Sequence, residues 1–333
     1  MTVLGISDAP AIRGLAFRGY RGEDDLPAML LVYNAAHEAD GLEEVTTLDD
    51  LRRNYATLVN CDPARDILMA EVDGELVAYS RVFWLDLVEG GRSYENFGFV
   101  HPAWRRRGIG GAMHRHNERR LREIAAGHEG VEPKWFGSEG IESDPGNTAL
   151  MRNDGYEAAR YFYDMVAPSL DGITAPALPE GIETRPVTRD QYRFIWDAMA
   201  EAFRDHWGEA EWAEEDWQRF STDPENQDPR FWRVGWDADQ VAGVIATTVP
   251  VEENERFGRS RVYVSSVSVR RPWRRRGLAR ALLASSLVAA REAGYTSASL
   301  GVDSNSPTGA TDLYRSLGFE PEKTFIAWRK PLL

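Results

Sequence analysis

Apolar residues recur along the chain with two different spacings, one typical of helices and one typical of strands. In the second half, Tyr192, Ile195, Trp196 and Met199 have the spacing of one helix face, which predicts a helix over 189–203. The segment 261–269 has little polar interruption, so we predict a central strand there. The other predicted elements of this half are strands at 183–187, 231–236, 240–249, 297–302 and 325–329, and helices at 214–220, 277–293 and 307–317.

The first half shows the same order of elements. Two apolar runs, 67–72 and 75–84, are joined by Asp73-Gly74, a dipeptide typical of a two-residue hairpin turn. A strand at 94–101 and a long helix at 109–126 follow. Alternating strands and helices of this kind predict a mixed sheet with helices on both faces.

An internal repeat explains why the two halves share this order. Residues 102–111 read PAWRRRGIGG and residues 272–281 read PWRRRGLARA, so Arg105 aligns with Arg274 at an offset of 274 − 105 = 169. A second pair, 150–156 and 313–319, aligns at an offset of 313 − 150 = 163. Two ordered matches at nearly one offset indicate a duplicated domain. We therefore predict domains at 1–168 and 180–333, joined by a linker over 167–179 that is rich in proline.

Composition narrows the function. The formal net charge is −14, which disfavours binding to nucleic acid or to anionic membranes and is compatible with a cationic substrate. Cys61 is the single cysteine, so no disulfide forms within the chain, as expected in a reducing compartment. Six scattered histidines and one cysteine do not suggest a metal site. There is no apolar run of membrane-spanning length and no secretory signal, so we expect a cytoplasmic protein.

The chemistry is expected where the central strand of each half ends. A basic turn containing glycine separates that strand from the long helix, at 269–280 and again at 100–111. The first amide groups of a helix have no partner within the helix, and the helix dipole adds a partial positive charge there. Such a junction binds phosphate groups, and Gly277 or Gly108 lets a phosphate approach the backbone closely.

The repeated pattern Arg-x-x-Gly-x-Gly/Ala, followed by Leu313-Tyr314-Arg315-Ser316-Leu317-Gly318-Phe319 after Asn305, resembles the GNAT superfamily of N-acetyltransferases. The resemblance covers both halves of the chain. Their tandem layout is similar to that of actinobacterial double acetyltransferases. It implies an α/β fold of two tandem GNAT-like domains, each with a mixed, mostly antiparallel sheet, and acetyl-CoA as co-substrate. The residues that it assigns to acetyl-CoA binding are Val267, Ser268, Val269, Arg274, Arg275, Arg276, Gly277, Leu278, Ala279, Arg280 and Asn305, and in the first half Val100, Arg105, Arg106, Arg107, Gly108, Ile109, Gly110 and Gly111.

The resemblance also implies a mechanism, in which an amine attacks the acetyl thioester directly. Tyr314 matches the residue that protonates the departing thiolate. The family often uses a glutamate of the central strand as base, but 263–266 of this chain holds no carboxylate. The base therefore stays open among His206, Glu209, Asp303 and a water held by Ser266, with His206 preferred.

The first half departs from the family at the position of the tyrosine, where Met151 stands. A thioether cannot donate a proton. Glu95 could act as a base in this half, but we expect the first half to bind CoA without efficient turnover. The predicted function is thus acetyl transfer to the amine of a small molecule in the second half. Two alternatives remain: both halves are active, or the protein binds acetyl-CoA as a sensor or scaffold without turnover. The sequence fixes no oligomeric state.

Overall fold

The fold is given by a computed structural model that describes residues 4–333. The chain divides into two compact units, one made of Met1–Ala159 with Phe325–Leu333, the other of Arg160–Thr324. The predicted domains were 1–168 and 180–333, so the units differ from them in two segments. Residues 160–168 belong to the second unit, and the last nine residues of the chain belong to the first.

The first unit is a sheet of six strands with helices on both faces. Strand order is β1-β2-β3-β4-β5-β12, and only the pair β4–β5 is parallel. Its strands are β1 Leu15–Gly19, β2 Ile67–Val72, β3 Glu75–Asp86, β4 Arg92–Val100, β5 Lys134–Ile141 and, by its residues 325–331, β12 Glu320–Pro331. Its helices are α1 Leu26–Ala39, α2 Leu48–Ala56, α3 Pro63–Asp66, α4 Ile109–Ala126 and α5 Pro145–Asn153.

The second unit repeats this plan. Strand order is β7-β8-β9-β10-β11-β6, and only β10–β11 is parallel. Its strands are β6 Glu157–Ala167 (from residue 160 onward), β7 Glu183–Thr184, β8 Arg233–Asp237, β9 Gln240–Thr248, β10 Arg261–Val269 and β11 Ser297–Asp303. Its helices are α6 Tyr192–Phe203, α7 Glu214–Thr222, α8 Val251–Phe257, α9 Leu278–Glu292 and α10 Ala310–Arg315.

Alternation along the central strands places the helices on opposite faces of each sheet. In β3, Ala78 packs with Ile109 of α4, while its neighbour Tyr79 packs with Met29 of α1. The corresponding strand β9 behaves in the same way, since Ile245 packs with Leu282 of α9 and Val244 packs with Ile195 of α6. Successive side chains of a strand point to opposite faces, so each unit has three layers, helix, sheet and helix.

The final strand of each sheet comes from the other half of the sequence. Ile326 and Trp328 of β12 are buried with Val82 and Phe136 in the core of the first unit. Met165 and Ala167 of β6 are buried in the core of the second. The repeat aligns the starts of β6 and β12 at 320 − 157 = 163, the same offset as the preceding motif. Both copies of this strand are therefore exchanged.

Candidate active site

The two parallel strands of the second unit separate near a bulge. β10 and β11 pair only over Arg261–Tyr263 and Ser297–Ser299. Against β9, the register of β10 shifts between Val264 and Ser266, so Ser265 is an extra residue. A bulge of this kind bends a strand and leaves backbone groups without ladder partners. A cavity of about 860 Å³ is lined by residues of both strands beyond the point of separation.

The basic turn between β10 and α9 forms one end of this cavity. Arg275 and Gly277 have φ angles of 59° and 83°, which turn the chain sharply into the helix. The space where a side chain of Gly277 would begin is open, with no atom within 4 Å. The backbone bond from Ala281 N to Gly277 O starts the helical series, so the amides before it have no helical acceptor. The turn therefore offers bare amides to the cavity.

The first arginine of the turn is held by the protein. Arg274 donates to the carbonyl oxygens of Val269 (2.8 Å) and Ala202 (3.2 Å) and forms an ion pair with Asp205. Arg271 also pairs with Asp205, and these two guanidinium groups hold the pKa of that carboxyl well below its usual range. The sequence assigned Arg274 to acetyl-CoA, whereas its guanidinium fastens the turn to the end of α6.

The other predicted donor residues divide into two groups. The segments 267–269, 274–275 and 277–280 line the cavity. Arg276 and Asn305 are not among the lining residues. The guanidinium of Arg276 lies 3.4 Å from the carbonyl oxygen of Glu180, and Asn305 is exposed, with its carbonyl oxygen accepting a bond from Arg160.

Tyr314 of α10 lines the same cavity. It is buried, and its ring packs against Phe319 with 6.1 Å between the ring centroids. Burial raises the pKa of the Tyr314 phenol above its ordinary value of 10. The hydroxyl therefore stays protonated at neutral pH and is able to donate a proton.

The base candidates are in different states. His206, Glu209, Ser266 and Asp303 all line the cavity. Burial lowers the pKa of His206, so its imidazole is neutral and can accept a proton at pH 7. Burial raises the pKa of Glu209, which accepts a bond of 2.6 Å from the indole of Trp212. Ser266 is buried, with its hydroxyl 3.4 Å from that of Ser268.

Asp303 is held in a bidentate ion pair that the sequence did not predict. Arg160 donates to its carboxylate through Nε (2.9 Å) and Nη2 (2.9 Å) and also to the carbonyl oxygen of Asn305 (3.0 Å). The Arg160 guanidinium lies 5.8 Å from the ring centroid of Trp207, which lines the cavity. An arginine in this arrangement holds the segment 303–305 against the start of β6.

Strand β6 supplies the remaining residues that sequence reasoning missed. Phe162, Tyr163 and Asp164 line the cavity, and Asp164 pairs in register with Gly301 of β11. Phe162 lies 6.4 Å from Trp207 between ring centroids. No sequence motif marks these three positions. Because β6 lies before the predicted linker, the sequence assigned it to the first domain. The repeat was the available signal, since it places a strand after α5 in both halves.

The first unit preserves the turn but not the opening beside it. Arg106 and Gly108 have φ angles of 63° and 88°, and Arg105 bonds to Val100 O, Ala36 O and Asp40 as Arg274 does in its own unit. However, Pro10 lies against the turn, 3.3 Å from where a side chain of Gly108 would begin.

The parallel strands of the first unit pair over one residue more than those of the second, and they separate without a bulge. β4 pairs with β3 in one continuous register from Val100 to Arg92, without a bulge. It pairs with β5 as far as Glu95 and Gly137, and Ser138 then donates from its hydroxyl to the carbonyl oxygen of Asn96 at 2.9 Å. Met151, at the position of Tyr314, is buried in the core.

The described residues contain neither a metal cluster nor a membrane-spanning helix. Among residues 4–333, no group of three or more His, Cys, Asp or Glu side chains is arranged to hold a metal ion. Over the same residues, no helix is long and apolar enough to cross a membrane. Cys61 is partly buried, and burial raises the pKa of its thiol to about 12, so it is a poor nucleophile.

The chain is similar to proteins of one family along most of its length. The mycothiol acetyltransferase of Thermobispora bispora is 29% identical over 312 residues, which are 92% of this chain and 96% of that protein. The mycothiol acetyltransferase of Salinispora arenicola (strain CNS-205) is 30% identical over 305 residues, 89% of this chain and 90% of that protein. The crystal structure of a GCN5-related N-acetyltransferase from Sphaerobacter thermophilus matches with a TM-score of 0.70 at 27% identity and covers 95% of each chain.

The family itself is recognised in both halves. The model of the acetyltransferase (GNAT) family matches residues 29–132 and 192–319. These two regions contain the two strand-turn-helix junctions described above. The protein is therefore an acyltransferase with two copies of one fold, and it belongs to the acetyltransferase (GNAT) family.

Proposed function

We propose that the second unit transfers the acetyl group of acetyl-CoA to the primary amine of a small molecule. One observation carries this proposal. A single cavity of about 860 Å³ is lined by the bare amides of the turn before α9, by the separated strands β10 and β11, and by Tyr314. Acetyl transfer needs these three parts together, because the donor, the thioester and the proton donor must meet in one place.

The turn is suited to the diphosphate of the donor. The amides at the start of α9 and the exposed side chains of Arg275 and Arg280 provide positive charge at this end of the cavity. Along β10, the backbone of Val267–Val269 would bond to the pantetheine arm. An amide freed near the bulge at Ser265 would polarise the thioester carbonyl and stabilise the oxyanion.

The reaction then requires three proton transfers. His206 takes a proton from the ammonium group, and the neutral nitrogen attacks the carbonyl carbon. The carbon–nitrogen bond forms and the carbon–sulfur bond breaks, while the sulfur receives the proton of the Tyr314 hydroxyl. The nitrogen loses its second proton as the amide forms, and that proton restores the Tyr314 hydroxyl. The neutral state of His206 favours it as base over Asp303, which is paired with Arg160. Glu209 and a water held by Ser266 remain the alternative bases.

The acceptor end of the cavity favours a cationic small molecule. Phe162, Trp207, Asp164 and Glu209 line this end, so aromatic surface and carboxylates surround the space. The cavity arginines instead belong to the segment before α9, at 271, 274 and 275, and to the first turn of this helix, at 280. The relatives named mycothiol acetyltransferases also support a small-molecule acceptor.

We assign no turnover to the first unit. Met151 supplies no proton, β4 has no bulge, and Ser138 closes the space beside Asn96. Pro10 lies against its turn, while the same position in the second unit is open. We therefore propose one donor site per chain, in the second unit, in place of the second CoA site expected from the sequence.

Calorimetry with CoA tests the donor site, using a pair of variants matched by the repeat. Gly277→Ala adds a methyl group at a φ of 83°, and Gly108→Ala adds the same group at 88°, so both carry similar backbone strain. We expect one CoA per wild-type chain, at least tenfold weaker binding in Gly277→Ala, and unchanged binding in Gly108→Ala. Equal losses in both variants, or no binding to the wild type, would contradict the assignment.

Release of free thiol from acetyl-CoA in the presence of a panel of amines tests turnover. Tyr314→Phe should lower kcat by roughly 10²–10⁴-fold with little change in CoA affinity, because only the proton donor is removed. Met151→Leu, the matched change in the first unit, should leave kcat unchanged. If CoA binds and no amine elicits thiol release, the protein is a binding module and the proposed reaction is wrong.

A further inference from the structure

Part of one face of the first unit corresponds to the wall of the cavity in the second. Val100 lies opposite Ala78 and Val269 lies opposite Gly243, and counting back from these pairs aligns Phe97 with Ser266, which lines the cavity of the second unit. The extra residue Ser265 then aligns Glu95 with Tyr263. The side chains at the aligned positions in the first unit are a carboxyl and an aromatic ring, so any ligand there would need a different chemistry.

Four side chains form a square on this face of β3 and β4. Arg81 lies opposite Phe97, and Phe83 lies opposite Glu95. Side chains two residues apart on a strand share a face, so all four point the same way. The charged pair and the aromatic pair occupy the two diagonals, with Cα atoms about 7–8 Å apart. All four residues are partly exposed.

The guanidinium of Arg81 is surrounded by aromatic rings. Its Cζ lies 4.7 Å from the ring centroid of Phe97 and 5.4 Å from those of Phe83 and Tyr55. Its Nε is buried without a hydrogen-bond partner, and no ion pair to this side chain occurs within residues 4–333. A half-buried cation is normally paired with an anion. Stacking occupies the flat faces of the guanidinium and leaves its N–H edge available for a carboxylate.

The carboxyl of Glu95 is turned to the opposite side of the square. It lies over Gly137 of β5, since a side chain on Gly137 would begin 2.1 Å from Glu95 Oε1. Ser93 donates a hydrogen bond to the same oxygen. Glu95 and Arg81 therefore face away from each other, with Phe83 and Phe97 between them. The space above the two rings is bounded by an acidic group on one side and a basic group on the other.

We propose that this face of the first unit binds a small zwitterion of amino-acid type, with its carboxylate on Arg81, its ammonium group on Glu95 and its apolar side chain on Phe83 and Phe97. The site is separate from the cavity of the second unit and uses none of its residues. It does not depend on acetyl transfer. It gives the first unit a ligand of its own, distinct from the donor that we propose for the second.

Binding of three related probes to the full-length protein tests each contact. Phenylalanine carries both charges, 3-phenylpropionate only the carboxylate, and phenethylamine only the ammonium group. By calorimetry we expect phenylalanine to bind at least tenfold more tightly than either of the others. Equal binding of 3-phenylpropionate would overturn the role of Glu95, and equal binding of phenethylamine would overturn that of Arg81. Absence of phenylalanine binding would overturn the site.

Variants distinguish this site from the cavity of the second unit. Arg81→Gln and Glu95→Gln should each weaken phenylalanine binding at least tenfold, with circular dichroism as the check on folding. Glu95→Gln preserves the size of the side chain, so it serves if Arg81→Gln does not fold. Trp207→Ala, in the other cavity, should leave the Kd for phenylalanine within twofold. Loss of binding in Trp207→Ala, or unchanged binding in Glu95→Gln, would overturn the proposal.

Discussion

Single residues at equivalent positions separate the two units more clearly than their folds do. Tyr314 and Met151 occupy the same place in the repeat, and both are buried. Tyr314 lines a cavity, whereas Met151 packs in a core with Phe136 and Trp328. A methionine fills such a space well, because its side chain is flexible and apolar. The same position thus faces a cavity in one unit and packs within a core in the other.

Glu95 gives the first unit a pH-dependent stability. Its pKa is raised from 4.5 to about 7, chiefly by burial and further by Glu139, while Ser93 and Arg329 oppose the rise. The folded state therefore binds the proton more tightly than the unfolded state. This contribution is fully present below pH 4.5 and is lost as the pH rises through 7.

Glu95→Gln should remove this dependence, since glutamine has no proton to lose. Relative to the variant, we expect the wild-type protein to lose on the order of 2–3 kcal/mol of unfolding free energy between pH 4 and pH 8. Urea denaturation at a series of pH values measures the difference. If the unfolding free energies of the two proteins changed with pH in parallel, ionisation of the Glu95 carboxyl would not contribute to the stability of the fold.

At the scale of elements, one ion pair connects the exchanged strand β6 to the cavity. Arg160 binds Asp303 with both side chains largely buried, at 21% and 11% exposure. Arg160→Met leaves that carboxylate without its partner, so we expect a loss of roughly 1–3 kcal/mol in unfolding free energy. The KM for acetyl-CoA should rise as well, because the loop 306–309 after Asp303 lines the cavity.

A double-mutant cycle with Asp303→Asn isolates this pair. The double variant should cost less than the sum of the single ones, because removing both partners leaves no unpaired charge. Arg52→Met serves as the control, since its pair with Asp49 is exposed and should contribute less than about 1 kcal/mol. Strictly additive losses for Arg160 and Asp303 would show that the contact does not organise the loop.

Periodicity predicted some elements to the residue and others poorly. The strand Arg261–Val269 and the helix Ile109–Ala126 were predicted with their observed bounds. The helix predicted at 307–317 is confined to Ala310–Arg315, because hydrogen bonds among Ser306, Thr308 and Gly309 form a turn before it. The helix Val251–Phe257 was missed, since seven residues carry too little periodic signal.

The residues of the candidate site also divide into those that the sequence could predict and those that it could not. Tyr314 and the turn at Gly277 could be located from a local pattern, since a strand, a turn and a helix are adjacent in the sequence. Arg160, Phe162 and Asp164 could not, because a strand's own apolar pattern does not say which sheet it joins. The direction in which Arg274 points was also hidden, since its partner Asp205 is 69 residues away.

At the scale of the whole molecule, the exchange of final strands links the two halves of the sequence. The first unit is completed by residues 325–333, which follow the second unit in the chain. The second unit begins with residues 160–167, which lie before the predicted linker. A cut at the predicted linker, 167–179, would therefore separate the first unit from its strand at 325–331 and the second from its strand at 160–167. Neither sheet would have its full set of six strands, so neither half is expected to fold well alone.

Removal of residues 325–333 tests which unit owns the last strand. Trp328 is 1% exposed in the core of the first unit, and its replacement by alanine alone should cost about 3–5 kcal/mol. In the truncated protein, hydrogen exchange should accelerate in β5, the direct partner of this strand, and in α4. Trp328→Ala should give the same pattern more weakly. β11 pairs with β6 and should stay protected, together with α9. The division at 168 and 180 makes the opposite prediction, because it assigns 325–329 to the second domain. Faster exchange in β11 with protected β5 would therefore restore the division expected from the sequence and refute the exchange of strands.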